Sequence, residues 1–148
     1  MSVSYDVFAG AFLEKVREYD FPIKDYERNG MIDNFMRRAI ASFKKVCKYD
    51  FSTTGDDMIR EFIVDVEDED IDELADIISE GMLAQWMHPY VYNQENLENM
   101  LNTRDFSGYS PGELLAKVST AYKVVKRDFT NMIREYSYNH GDLTDLHL

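Results

Sequence analysis

Residues 110–148 of this chain read SPGELLAKVSTAYKVVKRDFTNMIREYSYNHGDLTDLHL, and they predict one long helix whose two ends are marked in the sequence. Ser110 is placed as the N-cap, Pro111 as the first helical residue and Glu113 as its partner in a capping box. Asn139-His140-Gly141 predicts the end of the helix, where a histidine interacts favourably with the helix dipole. Between these ends, apolar residues recur at steps of three and four: Leu115, Val118, Tyr122, Val125, Phe129, Met132 and Tyr136. This spacing is typical of an amphipathic helix that packs one face against a core.

A short tail follows this helix and carries three leucines: Leu143, Leu146 and Leu148. The tail is too short to build a core, and leucines on a chain terminus usually have a surface to contact. That surface belongs either to this protein or to a partner.

The composition indicates one folded domain over residues 1–148. A chain of 148 residues can bury a sizeable core without disulfides or metal, and 45% hydrophobic with 14% aromatic residues excludes a disordered chain. Cys47 is the only cysteine, so neither a disulfide framework nor a cysteine-based zinc site is expected. No apolar run approaches the roughly 20 residues that cross a bilayer, and no signal peptide is recognisable. We therefore expect a protein that is soluble and cytosolic when made, with no membrane partner.

The net charge of −12 is concentrated in the middle of the chain. Residues 1–50 carry nine Lys and Arg against eight Asp and Glu, residues 51–109 carry two against fifteen, and residues 110–148 carry five of each. Nucleic-acid affinity depends on neutralising phosphates with Lys and Arg, so free nucleic acid is an unfavourable ligand for this surface.

Two helices are predicted before the acidic segment. The first runs from about Ser4 to Tyr19 and ends before Phe21-Pro22. The second begins between Asp25 and Met31 and reaches about Lys48. Cys47 lies on the apolar side of this second helix, which predicts a buried and inert thiol.

A third helix is predicted from about Asp70 to Met87, with Pro89 kinking or stopping it and Tyr90–Tyr92 crossing over to the next element. Its predicted buried residues are Ile71, Leu74, Ile78, Met82 and Trp86. Asn93 is placed to cap a short helix, and residues 102–109 are expected to form a loop. The predicted fold is therefore all-α, a bundle of four to five helices with a long C-terminal helix and an extended tail.

The run Glu61-Phe-Ile-Val-Asp-Val66 is the only plausible strand, because it is β-branched and aromatic and its side chains alternate. A single strand has no pairing partner of its own. Either it pairs with a weakly predicted segment such as Tyr90–Tyr92, or a neighbouring copy or a partner completes it.

No group of residues in the sequence matches a known pattern of a catalytic, metal-binding or phosphate-binding site. Asp68, Asp70 and Asp72 alternate as in a calcium loop, but Glu73 and Ser79 stand where an EF-hand needs glycine and glutamate. The run is better explained as a solvated helix start. The three histidines have no metal-ligand spacing, and no glycine-rich phosphate loop is present. We expect no catalytic residues, no metal and no cofactor, and an enzyme would have to assemble its site from distant residues.

Two groups of side chains have alternative interpretations. Aromatic residues cluster at predicted helix ends, where each one alone is most simply part of the core, but amphipathic aromatics of this kind are collectively enriched at protein interfaces. The basic residues of the last helix form either its solvated face or a surface that meets the acidic segment of a neighbouring copy. These basic residues are Lys117, Lys123, Lys126, Arg127 and Arg134.

The chain resembles the small helical head–tail connector proteins of tailed bacteriophages and prophages of Gram-positive bacteria. Besides size and helix order, the resemblance lies in four stretches: EGMLAQWMHPYVY at 80–92, LNTRDF at 101–106, YSPGELL at 109–115 and DFTNMIREYSYNHGDLTDLHL at 128–148. It implies a structural virion protein, in which a ring of twelve copies joins portal to tail and DNA passes through without specific binding. It also implies location in the virion, and in the host cytoplasm during assembly. In such adaptors the terminal segment often reaches the portal, which corresponds here to residues 141–148.

The leading hypothesis is therefore a connector subunit. Its expected partners are the portal protein, other neck or tail proteins and further copies of itself. The docking residues it predicts are Tyr138, His140, Leu143, Leu146 and Leu148. The subunit-interface residues it predicts are Phe62, Val64, Val66, Tyr90, Tyr92, Phe106 and Tyr109. An alternative is an acidic DNA mimic or regulator that binds a host nucleic-acid-binding protein, and a third is a small enzyme with a dispersed site.

Overall fold

The computed structural model describes residues 2–19, 30–92 and 111–140. These residues form four helices and a small three-stranded sheet. In chain order, the elements are β1 (Val3–Ser4), α1 (Tyr5–Val16), α2 (Met31–Phe43), β2 (Gly55–Asp56), β3 (Glu61–Phe62), α3 (Asp68–Tyr92) and α4 (Pro111–His140). The prediction of a mostly helical bundle with a long C-terminal helix is confirmed.

Helix α3 is the centre of the bundle, because α1, α2 and α4 all pack against it. Its buried side chains include the predicted Leu74, Ile78, Met82 and Trp86. Trp86 meets Phe12 of α1 edge to face, with 6.2 Å between ring centroids. One hydrophobic core thus joins all four helices.

The predicted faces of the helices are confirmed by burial. Along α4, the stripe residues Val118, Tyr122, Val125, Phe129 and Tyr136 are all at most 9% exposed. The helical period was therefore a reliable guide to which side chains enter the core.

Helix α1 begins where the sequence predicts, because Ser4 acts as its N-cap and accepts a hydrogen bond from the backbone N–H of Asp6 at 3.1 Å. Helix α2 ends earlier than predicted, at Phe43 and not near Lys48. The carbonyl of Phe43 accepts the N–H groups of Val46 and Cys47 in a turn that leads to the buried Phe51. Cys47 consequently lies beyond the helix and is half-buried, which corrects its predicted place on the helix.

Pro89 does not stop α3, and the prediction that Tyr90–Tyr92 cross over is wrong because these residues are helical. A proline inside a helix costs about 3 kcal/mol, since it removes a hydrogen bond and crowds the preceding turn. Trp86, Met87 and Tyr90 are all buried around it. Burying these three large side chains on one helical face outweighs the local cost of the proline.

The predicted strand is shorter than expected and finds its partners within the chain. Strand β3 is central, in the order β1-β3-β2, and is antiparallel to both neighbours. Phe62 lies opposite Val3 on one side and Gly55 on the other. Pairing with Tyr90–Tyr92 is thus wrong, and no neighbouring copy is needed to pair β3. Residues 63–66 continue as irregular chain.

Several predictions fall outside the described residues. These are the residues Phe21-Pro22, the helix from Asn93, the loop 102–109, the cap at Ser110 and the tail 141–148. The first helix itself ends at Val16, earlier than the predicted end near Tyr19.

Candidate functional site

The hairpin formed by β2 and β3 is fastened to the helices by Arg60. Its guanidinium contacts Asp6 of α1 at 2.8 Å and Asp33 of α2 at 2.8 Å, and its carbonyl accepts the N–H of Tyr5 at 2.9 Å. Hydrogen bonds to Asp33 and Asp6 raise the pKa of Arg60 above its ordinary value. Arg60 has a φ of 54°, a left-handed conformation that costs a non-glycine residue roughly 1–2 kcal/mol. These contacts hold the hairpin in one orientation despite that cost.

Asp57 provides a second fastening at the start of the hairpin loop. It accepts a hydrogen bond from the Tyr5 hydroxyl at 2.8 Å and lies 2.8 Å from a guanidinium nitrogen of Arg37. The hydrogen bonds from Arg37 and Tyr5 lower the pKa of Asp57. Burial and the neighbouring Asp57 raise the pKa of Tyr5 to about 12. The hairpin is therefore held from both of the helices beneath it.

This rigid hairpin exposes three large apolar side chains. Met58 is 93% exposed, Ile59 is 55% exposed and Ile63 is 54% exposed. We call Met58 and Ile59, which lie in the loop between β2 and β3, the hairpin tip. Ile63 follows β3, and its N–H donates to the carbonyl of Thr54 at 2.9 Å. Single exposed apolar residues are ordinary, but two neighbouring ones on an anchored loop are a candidate interaction site.

An acidic strip follows the hairpin tip along the chain into the first turns of α3. It consists of five exposed residues: Asp65, Glu67, Asp68, Glu69 and Asp72. None of them has an ion pair with another part of the chain that the structure describes. A hydrogen bond with Glu67 and the charges of Glu67 and Asp70 raise the pKa of Glu69. Such crowding of like charge would be relieved by a cationic partner.

A groove of the opposite charge runs along α4, with a volume of about 590 Å³. We call it the basic groove. Its lining residues are Val91, Ser119, Tyr122, Lys123, Lys126, Arg127, Thr130, Asn131 and Arg134.

The cations of the basic groove are largely available for a partner. Lys126 lies over the ring of Tyr122, 5.8 Å from its centroid, and the one ion pair of Arg127 among the described residues is with its neighbour Asp128, at 3.4 Å. Within residues 2–19, 30–92 and 111–140, Lys123 and Arg134 have no ion pair. The groove thus offers cationic ends beside apolar surface, which suits a segment that carries both carboxylates and apolar side chains.

Three of the seven predicted interface residues lie in this chain's own core. Phe62 is 3% exposed, and its ring contacts those of Tyr5, Phe8 and Phe51. Val66 and Tyr90 are each 7% exposed. These three residues therefore present little surface to a second copy. Val64 is half-buried against the core.

The remaining predicted site residues lie at element ends or outside the described residues. Tyr92 is the last residue of α3, and His140 is the last residue of α4. Tyr138 is 74% exposed near the end of α4. Phe106, Tyr109, Leu143, Leu146 and Leu148 lie outside the described residues.

The hairpin tip was not predicted from the sequence. The pattern of Glu61–Val66 identified one strand, whereas β2 is only Gly55–Asp56 and has too few residues for a period to show. A usable signal was present in the polar cluster Thr53-Thr-Gly-Asp-Asp57 before the strand, since clusters of this composition mark turns. Met58 and Ile59 after that cluster then lie in a hairpin loop.

Comparison with models of protein families, with curated protein sequences and with solved structures found no match to this chain. Among the helices that the structure describes, none combines the length and the apolar composition needed to span a membrane. No three His, Cys, Asp or Glu side chains in the described part of the chain are grouped so as to hold a metal ion.

Proposed function

We propose that this chain is a structural virion protein, the head–tail connector subunit of a tailed bacteriophage or prophage of a Gram-positive bacterium. Copies associate into a ring that docks on the portal and leaves a channel for DNA. The proposal draws on the resemblance of residues 80–92, 101–106, 109–115 and 128–148 to such connectors. A mostly helical bundle is compatible with this role.

One structural observation carries the proposal: α4 is a rod that leads directly to the leucine-bearing tail. It has 30 residues, which corresponds to a length of about 45 Å. Its apolar stripe is packed on α3 through Val118, Tyr122 and Val125, whereas Tyr138 near its end is 74% exposed. The exposed end of this packed helix immediately precedes residues 141–148 in the chain, which supports a docking role for that end of the protein.

The net charge is consistent with the absence of specific DNA binding. The net charge is −12, and the excess of carboxylates lies in residues 51–109, so the surface repels the phosphate backbone of DNA. A channel lined by such a surface would let DNA pass without holding it.

The test is a size-exclusion and light-scattering measurement of the chain, alone and mixed with the portal protein of the same phage or prophage. We expect a complex with the portal that the truncated protein, lacking residues 142–148, does not form. Circular dichroism of the truncated protein should show unchanged helicity and melting temperature. If the full chain does not bind the portal, the proposal is wrong. Unfolding on truncation would assign the tail to the protein's own core and remove the basis for docking.

A second candidate function is favoured by the acidic strip: a DNA mimic that occupies a nucleic-acid-binding protein of the host. Asp65, Glu67 and Asp68 are exposed carboxylates, and a DNA-binding surface rich in Lys and Arg would pair with them. Such a protein would be recovered from host lysate with a DNA-binding protein and released by double-stranded DNA. Recovery of portal protein that DNA does not release would favour the connector instead.

A further inference from the structure

We propose that the hairpin tip and the acidic strip of one copy dock in the basic groove of a second copy. The inference rests on the proposed function, since it names the contact that would join neighbouring subunits. It concerns two surfaces that are both described in the structure, and it commits to a second copy of this chain as the occupant.

Charge complementarity is the first reason. Residues 56–73 contain ten carboxylates and one arginine, and that arginine, Arg60, is already paired with Asp6 and Asp33. The basic groove contributes Lys123, Lys126, Arg127 and Arg134. Charged surfaces of opposite sign steer association and set the register of the contact.

Apolar complementarity is the second reason. The hairpin tip exposes Met58 and Ile59, Ile63 is exposed after β3, and apolar surface in the groove comes from the half-buried side chain of Val91 and from the aliphatic parts of its lysine and arginine side chains. Methionine is flexible and polarizable, so its side chain can adapt to an irregular groove. A purely ionic partner would leave this apolar surface in contact with water.

Rigidity is the third reason. Arg60 and Asp57 fasten the hairpin to α1 and α2, so its exposed side chains are held before contact is made. Less conformational freedom is then lost on binding. The groove is likewise formed on α4, which is packed against α3.

In the ring of the proposed function the contact is heterologous: the hairpin of each copy engages the groove of the next. Such a contact closes into a ring if the rotation between copies permits, and otherwise extends as a filament. Because the contact joins two different surfaces, it can be tested by mixing two proteins that each carry a substitution in one of them.

The experiment is disulfide capture between two singly substituted proteins, each in a Cys47→Ser background. One carries Met58→Cys, and the other carries Thr130→Cys and is isotopically labelled. Thr130 lines the groove and is exposed, so a cysteine there is accessible and leaves the core unchanged. Mass spectrometry then separates mixed dimers from dimers of either protein alone.

We expect mixed dimers to dominate and to exceed by roughly tenfold those of the control pair, because docking raises the effective concentration of the two thiols. The control replaces Met58→Cys by Glu14→Cys, an exposed position near the C-terminal end of α1. Raised salt should reduce the mixed dimer toward the control level.

Three results would overturn the inference. The first is a yield equal to that of the control pair. The second is capture of Thr130→Cys by a Leu146→Cys protein in preference to Met58→Cys, which would make the tail the occupant of the groove. The third is a dominant Met58→Cys homodimer, which would indicate a symmetric contact between hairpins.

The disulfide experiment and the portal-binding experiment test the subunit contact and the proposed function independently. If rings form and dock on the portal without the mixed disulfide, the contact is wrong and the connector role remains. If the mixed disulfide forms but no complex with the portal is found, the contact remains and the connector role is wrong.

Discussion

Gly81 of α3 lies directly against the ring of Phe129 of α4. A Cβ atom placed on Gly81 would be 2.7 Å from Cζ of Phe129 and 2.8 Å from Cβ of Ala39 in α2. Three helices approach closely at this point, and the glycine makes the approach possible. This close contact holds α4 against α3 and α2, and the C-terminal end of α4 precedes residues 141–148 in the chain.

Substituting Gly81→Ala is therefore expected to destabilise the protein. Alanine gains up to about 1 kcal/mol in helix propensity over glycine, but overpacking at a closed crossing costs typically about 1–3 kcal/mol. We expect a net loss of about 1 kcal/mol in the free energy of unfolding, measured in urea.

Gly10 provides the matched control, because it also lies in a helix but has nothing within 4 Å of a Cβ atom. Gly10→Ala should stabilise the protein by about 0.5–1 kcal/mol. If both substitutions stabilise equally, the crossing at Gly81 is looser than the structure indicates.

Tyr136→Phe should remove a link between α4 and the turn after α2. The Tyr136 hydroxyl accepts a hydrogen bond from the backbone N–H of Lys48 at 3.0 Å, and the ring meets that of Phe43 with 4.9 Å between centroids. Leaving the N–H without this acceptor is expected to cost about 1 to 3 kcal/mol. Chemical denaturation measures the loss, and Tyr138→Phe, at an exposed site, should change stability by less than about 0.5 kcal/mol.

A pair of substitutions at Arg60 separates backbone strain from the ion pairs. Arg60→Ala loses the contacts with Asp6 and Asp33 and keeps the left-handed conformation, whereas Arg60→Gly loses the same contacts and relieves the strain. We expect the glycine variant to be more stable than the alanine variant by about 1 kcal/mol. Equal stability of the two variants would show that the hairpin changes conformation once the ion pairs are lost.

Stability should fall in strongly alkaline solution. The pKa of Tyr5 is raised to about 12 in the folded protein, from an ordinary value of 10.0, chiefly by burial. Above pH 10 the unfolded chain releases this proton before the folded protein does, so the contribution is present below pH 10 and is lost as the pH rises toward about 12. Urea unfolding at pH 8, 10 and 11 measures the slope, and Tyr5→Phe should make it shallower. An unchanged slope would exclude Tyr5 as a source of the dependence.

Self-association at high protein concentration should weaken as salt is raised. Exposed charges such as Glu69 and Lys126 are screened over about 8 Å at near-physiological ionic strength. Lys126→Glu should weaken association further, whereas Lys45→Glu, at an exposed site outside the basic groove, should have less effect. Sedimentation velocity provides the measurement. Association that strengthens with salt would identify apolar contacts as the dominant contribution.

The sequence alone determined the helices and their buried faces, because that information is local. In a helix, side chains three or four positions apart lie on the same face. The buried stripe from Val118 to Tyr136 and the buried Leu74, Ile78 and Met82 could therefore be predicted without knowledge of any tertiary contact. The start of the first helix near Ser4 was equally local. The same reasoning reached the tail as a candidate docking segment, which remains a prediction.

Only the tertiary structure showed where contacts between residues distant in sequence override local conformational preferences. Pro89 is tolerated inside α3 because Trp86 and Met87 are buried beside it, and that burial involves residues far away in sequence. The strands have two residues each, too few for a period, and their pairing joins Val3 to Phe62 across most of α1 and α2. Burial of Phe62 and exposure of Met58 follow from this pairing and from the two carboxylates that hold Arg60. Such contacts between distant residues leave no regular pattern in the chain, so the hairpin tip became visible only in the folded protein.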